Sequence, residues 1–434
     1  MPTNVSGVKP SMTSAETATL TLPDWLRRLE QLHPLTIELG LERVNAVYQR
    51  LGCDFGPARV VIVGGTNGKG STVTMLASAL RAAGQRVGVY TSPHLLRYNE
   101  RVSIDGVEAS DQHLCAAFAA VEAVRGEISL TYFEFGTLAA LWLFAQAGLD
   151  CIVLEIGLGG RLDAVNIVEP TLSILTNVAL DHTDWLGPDR ESIGYEKAGI
   201  FRAGKPALYG ERDMPASVRR QATAIGANLL QLGQSFDWQQ DDQGWCWQGR
   251  SVAGESVQME ALPLLPFPLD NAATVIQALQ WLAPDLDATA LRTALAAAVL
   301  PGRFQRLSWQ GCPVVLDVAH NPHAAANLAH NIRTRLASRE IRLVLGMLAD
   351  KDSSGVLALL APVVSHIHAA SLGGERGMEA KIIYNRALAI GVTAVTCHAS
   401  VQEAFAAACG AAGPGTVVVV TGSFFTVAAV LEML

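Results

Sequence analysis

From Val60 onward, short runs of β-branched apolar residues alternate with longer stretches whose apolar positions recur every three or four residues. That alternation predicts an α/β fold built on a mainly parallel sheet. The first buried strand falls at 60–63. A helix over 69–83 follows, with Val73, Leu76, Ala77 and Leu80 on one face and Gly84 placed to stop it. Further strands are expected at 87–91, 151–155 and 171–176, with helices at 111–124 and 135–147 between them. Over 236–248 the pattern changes, and Trp238, Trp245 and Trp247 flank the turn-like Asp241-Asp242-Gln243-Gly244, which reads as a β-hairpin. An Ala-rich helix at 288–298 ends at Leu300-Pro301-Gly302-Arg303, where Pro and Gly break any helix and mark a domain boundary. Beyond it the alternation restarts, with strands at 313–318, 342–346, 365–370, 392–397 and 416–421. A larger domain over 21–298 and a smaller α/β domain over 303–434 are expected, behind a flexible start at 1–20.

Composition narrows the function classes. The 434 residues suffice for two or three domains. Half are apolar and only 17% charged, so a largely disordered chain is excluded. Lys plus Arg number 32 against 40 acids, a net charge of −8, which argues against a general nucleic-acid or anionic-membrane surface. A small anionic ligand held by a few local cations remains open. The seven cysteines, at 53, 115, 151, 246, 312, 397 and 409, include no C-x-x-C pair and read as reduced cytoplasmic thiols. The first twenty residues lack the basic and apolar regions of a signal peptide. The apolar stretches 138–158 and 417–434 are interrupted by polar residues such as Asp150 and Ser423, so no membrane span is expected.

The strongest chemical signal is Gly64-Gly65-Thr66-Asn67-Gly68-Lys69-Gly70-Ser71, between a buried strand and an amphipathic helix. Glycines let the backbone point its N–H groups at phosphate oxygens, the helix N-terminus adds partial positive charge, and Lys69 adds a full one. Val63 stands where the P-loop pattern has its first glycine, and Gly70 displaces the hydroxyls to Ser71 and Thr72. The first domain is therefore expected to be P-loop-type. Glu155 ends an apolar strand and suits either a Mg²⁺ ligand or a solvated carboxylate. The glycine-rich turn 157–163 suits close approach of backbone to a ligand. Asp181 and His182 follow another strand, and His182 is a candidate ligand. In the smaller, Rossmann-like domain, Asp317-Val318-Ala319-His320-Asn321-Pro322 follows a strand. Helix capping accounts for Asn321 and Pro322 but not for Asp317 or His320. Arg303 is either a surface arginine or a phosphate contact.

Together these residues resemble the folylpolyglutamate synthase and dihydrofolate synthase family, the folate branch of the Mur-ligase-like ATP-dependent enzymes. The strings that carry the resemblance are GTNGKGS at 65–71, TSPHL at 91–95, RYNERV at 97–102, TYFEFGTLAAL at 131–141, LEIGLGGRLDAVN at 154–166, LDHTDWLG at 180–187, EKAGI at 196–200, PGRFQ at 301–305 and DVAHNP at 317–322. The resemblance implies a carbon–nitrogen ligase that activates a carboxylate with ATP as an acyl phosphate and joins it to L-glutamate. Dihydropteroate and the glutamate tail of reduced folates would be the acceptors. Cofactors would be ATP, Mg²⁺ and a monovalent cation such as K⁺, and the partners small molecules only, with no nucleic acid or membrane and the chain a cytoplasmic monomer. By position, Thr66, Asn67, Gly68, Lys69, Gly70, Ser71, Asn271, Arg303 and Asp317 would hold the nucleotide. Ser92, Glu155, His182 and Lys197 would hold the metal, with Lys197 carbamylated in this family although Glu196-Lys197 reads by itself as a solvated charged pair. Lys69, His182, Lys197, Asp317 and His320 would be catalytic. Glu38, Leu39, Gly40, Leu41, Thr131, Tyr132, Phe133, Glu134, Leu162, Asp163 and Ala164 match pterin-binding positions, with Ser423 and His320 in the glutamate or acyl-phosphate region. The rivals are a Mur-type peptidoglycan ligase, disfavoured by GKGS where such enzymes have GKTT or GKTS and by the short chain before the loop, and a nucleotide-binding regulator without ligase activity.

Overall fold

The computed structural model describes residues 13–17, 19–241 and 244–434. Two compact units result: the first closes at Ala298, and the second holds Val299–Leu434 together with Pro266–Pro268.

The first unit is built on an eight-stranded sheet. Its spatial order is Val107–Glu108, Val102–Ile104, Val87–Tyr90, Cys151–Glu155, Arg59–Gly64, Leu172–Leu175, Pro206–Tyr209 and Asn228–Gln231. The six strands from Val87–Tyr90 onward pair in parallel, while the two at the near edge are antiparallel. The central strand Arg59–Gly64 is buried from its second residue on, as a Val-Val-Ile-Val run covered on both faces requires. After this strand the chain first builds to one side and later to the other. The order therefore reverses beside it, and such a reversal opens a crevice at the carboxyl ends of the strands. The helix Tyr132–Ala145 packs into a core that gathers Ile62, Leu138, Leu154 and Leu175, while Lys69–Ala82 buries Val73, Leu76 and Leu80 and packs against the helices Leu269–Leu282 and Ala288–Ala297.

The second unit has a six-stranded sheet in the order Gln305–Trp309, Cys312–Leu316, Thr416–Thr421, Glu340–Leu345, His366–Ala370 and Val395–His398. Its first pair is antiparallel and the rest are parallel. A P-loop-type sheet domain and a smaller Rossmann-like α/β domain are thus both present.

Three regions add detail to the expected pattern. The hairpin expected over 236–248 forms between Asp237–Asp241 and Gly244–Arg250, and a third strand, Ser256–Leu262, extends it into a small antiparallel sheet. An isolated hairpin is marginal in water; in this sheet Trp245 and Trp247 are buried, and the tip, Asp242 and Gln243, lies outside the described residues. Within the start at 1–20, Ser14–Thr17 forms a helical turn and Thr17 is buried; residues 1–12 and Ala18 lie outside the described residues. The antiparallel strands Val102–Ile104 and Gln305–Trp309 escaped the alternating pattern because both are short and only partly buried.

Candidate active site

The segment after Arg59–Gly64 is held by the segment after Leu172–Leu175. Thr176 Oγ1 donates to the Asn67 carbonyl at 2.7 Å, and the Asn177 side chain both donates to that carbonyl (2.9 Å) and accepts from Asn67 N (3.0 Å). Thr66 Oγ1 donates to Ala179 O (3.2 Å) and accepts from Ala179 N (3.0 Å). Its donors and acceptors thus tied down, the loop has a fixed shape.

The loop delivers the chain into the helix Lys69–Ala82 through Gly68, whose φ of 82° is left-handed and which offers no side-chain cap to the helix. A side chain here is excluded twice, because a Cβ would also lie 2.9 Å from Asn271 Oδ1. The first N–H groups of this helix are therefore left for an anion rather than for a Ser or Asp cap. Asn271, buried on the helix Leu269–Leu282, donates to Ser71 Oγ at 3.0 Å, and Ser71 Oγ donates to Gly68 O at 2.9 Å. Lys69 Nζ lies 3.0 Å from Gly65 O and 3.2 Å from Thr66 O, folded over the loop it belongs to.

Lys197 overturns the reading of Glu196-Lys197 as a solvated pair. Glu196 does pair with Arg161, at 2.8 Å. Lys197, on the helix Arg190–Ala198, turns the opposite way, is buried, and donates to Gly65 O at 3.1 Å. Burial and then the Lys69 charge push its amine down to about 7, against the pull of Asp181 and Asp163. A neighbouring residue on a helix points about 100° away, so a charged dipeptide need not share one environment.

Glu155 is buried, not solvated, and its Oε2 accepts from Ser92 N at 3.1 Å. These two candidate metal ligands are thus brought together at adjacent strand ends. His94, two residues on, accepts from Arg101 Nε at 2.8 Å, and burial followed by the Arg101 charge pushes it down to about 4, a neutral imidazole. His182 has a left-handed backbone (φ 52°) before the short helix Thr183–Leu186 and is exposed, with Nε2 4.0 Å from Asp181 Oδ1. Among the described residues no three His, Cys, Asp or Glu side chains are grouped to hold a metal. What the crevice offers is one carboxylate and hydroxyl oxygen, which suits a hard cation that keeps waters and shares phosphate oxygens.

The positions matched to pterin binding also converge. Thr131 caps the helix Tyr132–Ala145, its Oγ1 accepting from Glu134 N (3.2 Å) while Glu134 Oε2 accepts from Thr131 N (2.8 Å). Phe133 lies against Gly157, where a Cβ would come 2.6 Å from its Cζ. Asp163, buried, accepts from Leu158 N (2.8 Å) and Val165 N (3.0 Å), which fixes the turn that carries Leu162 and Ala164. Burial pushes its carboxyl up to about 6, opposed by these N–H groups and Lys69. Glu38, in the segment that includes Leu39, Gly40 and Leu41, pairs with Arg43, whose Nη2 also reaches Glu134 Oε1 at 3.0 Å.

Within the second unit, Asp317 is buried and accepts from Phe304 N and Ala319 N, each at 2.9 Å. Burial raises its carboxyl above the usual range against the Arg303 charge. The Arg303 guanidinium sits 5.0 Å from the Phe424 ring centre, and His320 Nδ1 lies 2.9 Å from Val318 O. Ser423 is a helix cap: its Oγ accepts from Thr426 N at 3.0 Å at the start of Phe424–Leu431. Asn321 caps Pro322–Arg335 as the sequence implied.

Sequence reasoning assigned no role to Thr176, Asn177 or Arg43. The first two were visible as the point where an apolar strand turns polar; nothing local distinguishes Arg43.

Family models for the Mur ligase middle domain and the Mur ligase glutamate ligase domain match residues 63–235 and 302–424. The chain is 48% identical over 413 residues to the dihydrofolate synthase/folylpolyglutamate synthase of Escherichia coli strain K12, covering 95% of both chains. Its fold is similar to that of E. coli FolC in complex with DHPP and ADP, with a TM-score of 0.90, 47% identity and coverage of 96% of this chain and 98% of that one. A bifunctional folylpolyglutamate synthase/dihydrofolate synthase from Yersinia pestis, complexed with AMPPNP and Mn ion, matches with a TM-score of 0.89, 49% identity and the same coverage.

Proposed function

The chain belongs to the dihydrofolate synthase/folylpolyglutamate synthase family of Mur-ligase-type enzymes, and from that premise we propose that it joins L-glutamate to dihydropteroate and to the glutamate tail of reduced folates at the expense of ATP. The observation that carries this reading is the loop 64–71, pinned in shape, with its helix N-terminus uncapped and two lysine amines turned onto the same carbonyl. Relatives of high identity along nearly the whole chain favour the folate acceptors over a peptidoglycan precursor and over a regulator without ligase activity.

A carboxylate is a poor electrophile in water, so the acid must first acquire a leaving group. Its oxygen attacks the γ-phosphorus of ATP, ADP departs, and an acyl phosphate forms. The uncharged amine of glutamate then adds to the acyl carbon, phosphate leaves, and the amine gives up a proton as the amide forms. Both steps concentrate negative charge on phosphoryl oxygens and then on a tetrahedral oxyanion. Lys69 and the N–H groups from Gly68 onward are placed to stabilise it. Thr66, Asn67, Gly70, Ser71 and Asn271 shape this cradle, and Arg303, Asp317 and His320 act for the second unit. Glu155, Ser92 and His182 would hold Mg²⁺, which when bound supplies Lewis-acid neutralisation of phosphate charge. Lys197, with an amine near neutrality, is suited to add CO₂ and become an anionic carbamate ligand. Glu38–Leu41, Thr131–Glu134 and Leu162–Ala164 would line the acceptor pocket, and Ser423, which caps its own helix, would serve glutamate or the acyl phosphate. The chain would act in the cytoplasm: its seven cysteines are free thiols, and among the described residues no helix is long and apolar enough to cross a membrane.

The test is phosphate release by purified protein with ATP and Mg²⁺, given L-glutamate and either dihydropteroate or a tetrahydrofolate. Turnover with both acceptors is expected. Silence with both, together with turnover on a UDP-muramoyl acceptor, would sink the reading.

A further inference from the structure

Arg43 stands on the helix Glu42–Leu51, which is anchored in the core by Val44 and Val47. Its guanidinium joins two carboxylates from distant parts of the chain. One is Glu38, which it meets through Nη1 and whose carbonyl lies 3.3 Å from Nη2; the other is Glu134, at 3.0 Å from Nη2. The contacts continue on both sides. His33 Nε2 lies 3.0 Å from Glu38 Oε2, while the same ring accepts from Leu35 N through Nδ1 at 3.1 Å. At the other end, Glu134 Oε2 accepts from Thr131 N at 2.8 Å. A series of polar contacts thus runs from the irregular segment 31–41 to the first turn of the helix Tyr132–Ala145.

Glu134 is buried and fixed by its capping box, and Arg43 by its helix, whereas 31–41 carries no strand or helix and leaves Leu35 exposed. A planar fork is needed to address two carboxylates at once, which an ammonium cannot do with the same geometry. Arg43 Nε is buried without a hydrogen-bond partner, a cost that an arginine free to turn toward water would avoid.

We infer that Arg43 is a positioning residue that clasps the segment 31–41 against the 131–134 turn and so sets the affinity for the pterin-bearing acid. This rests on the assignment of those two segments to the acceptor pocket. Among the described residues the hydrogen bonds and ion pairs of Arg43 go to Glu38 and Glu134 and not to the loop 64–71, so ATP affinity and the chemical step are expected to stay outside its influence.

Arg43→Met and Arg43→Lys, assayed for kcat and for the KM of each substrate, test the inference. Arg43→Met is expected to raise the acceptor KM about tenfold, the scale of one lost charge-assisted hydrogen bond, with kcat and the KM for ATP within about twofold. Arg43→Lys, which restores charge but not the fork, falls between. A lower kcat at unchanged acceptor KM, the mark of general damage, overturns the inference. A second readout needs no turnover: chymotrypsin cleavage after Leu35 in the free protein, mapped by mass spectrometry, is expected to quicken in Arg43→Met, and equal rates overturn the clasp. Were the unaltered protein to use neither folate acceptor, the functional reading would fail and take the affinity claim with it, while the cleavage rates would still decide the clasp.

Discussion

At the carboxyl end of Arg59–Gly64 the amines of Lys69 and Lys197 lean on a shared carbonyl, whereas at the carboxyl end of Cys312–Leu316 the carboxylate of Asp317 is met by two backbone N–H groups. Both places lie where a parallel sheet opens toward ligands. In the first, like charges crowd together, and one of them is held near neutrality by burial and by the other. An anion arriving there meets two amines already drawn to one loop carbonyl. In the second, the polar groups largely serve the unit's own backbone: Asp317 fixes Phe304 and Ala319, Ser423 caps one helix and Asn321 another. A strand-end crevice is thus a general opportunity, and the partners already assigned to its side chains separate a cradle from a brace.

The sharpest way to break this comparison is Lys69→Ala. Loss of a cation that acts on developing phosphoryl charge should lower kcat by about 10²–10³-fold, roughly 3–4 kcal/mol, with the circular dichroism spectrum unchanged. Near-normal turnover would place the lysine outside the reaction. Asp317→Ala should act in the opposite currency, on stability, since it strands two buried N–H groups at about 1–3 kcal/mol each. A lower thermal midpoint for the second unit is expected; an unchanged midpoint with lost turnover would turn the brace into a nucleotide contact.

Lys197 sharpens the comparison through pH. In the unfolded chain its amine holds a proton up to about its ordinary value of 10.5, and in the folded protein only to about 7. Between those values the unfolded state binds more protons, so stability contributed at this site rises with pH, by at most about 1.4 kcal/mol per unit. Below pH 7 both states are protonated and the slope vanishes. Denaturation in CO₂-free buffer at pH 7 and 9 should show this rise, and Lys197→Met should flatten it; an identical slope in the variant would show the amine to be solvated. The smallest effect belongs to Ser423→Ala, about 1 kcal/mol for a lost helix cap with little change in the KM for glutamate. A large rise in that KM at unchanged stability would instead make Ser423 a substrate contact.

The parallel sheets were legible because each central strand is a short, wholly apolar run that alternates with a helical period, and burial on both faces leaves few other arrangements. The phosphate loop was legible for a related reason: glycines at 65 and 68 take backbone angles, φ 145° and 82°, that other residues avoid, so the need is written in their identity. The third strand of the small sheet was harder to read: Ser256–Ala261 does alternate polar and apolar residues, but the strand is largely exposed and Val257 is its one β-branched residue.

The sequence by itself therefore determined the order of strands and helices, the anion-binding loop and the family strings, all of which depend on residues close together in the chain. Only the tertiary structure decided that Lys197 points inward while Glu196 points out, that Glu155 meets Ser92 across 63 positions, and that Arg43, beside Glu38, reaches Glu134 across 91. Those contacts arise from which strands become neighbours and which faces become buried. Such facts belong to the whole fold, and no local pattern of residues carries them.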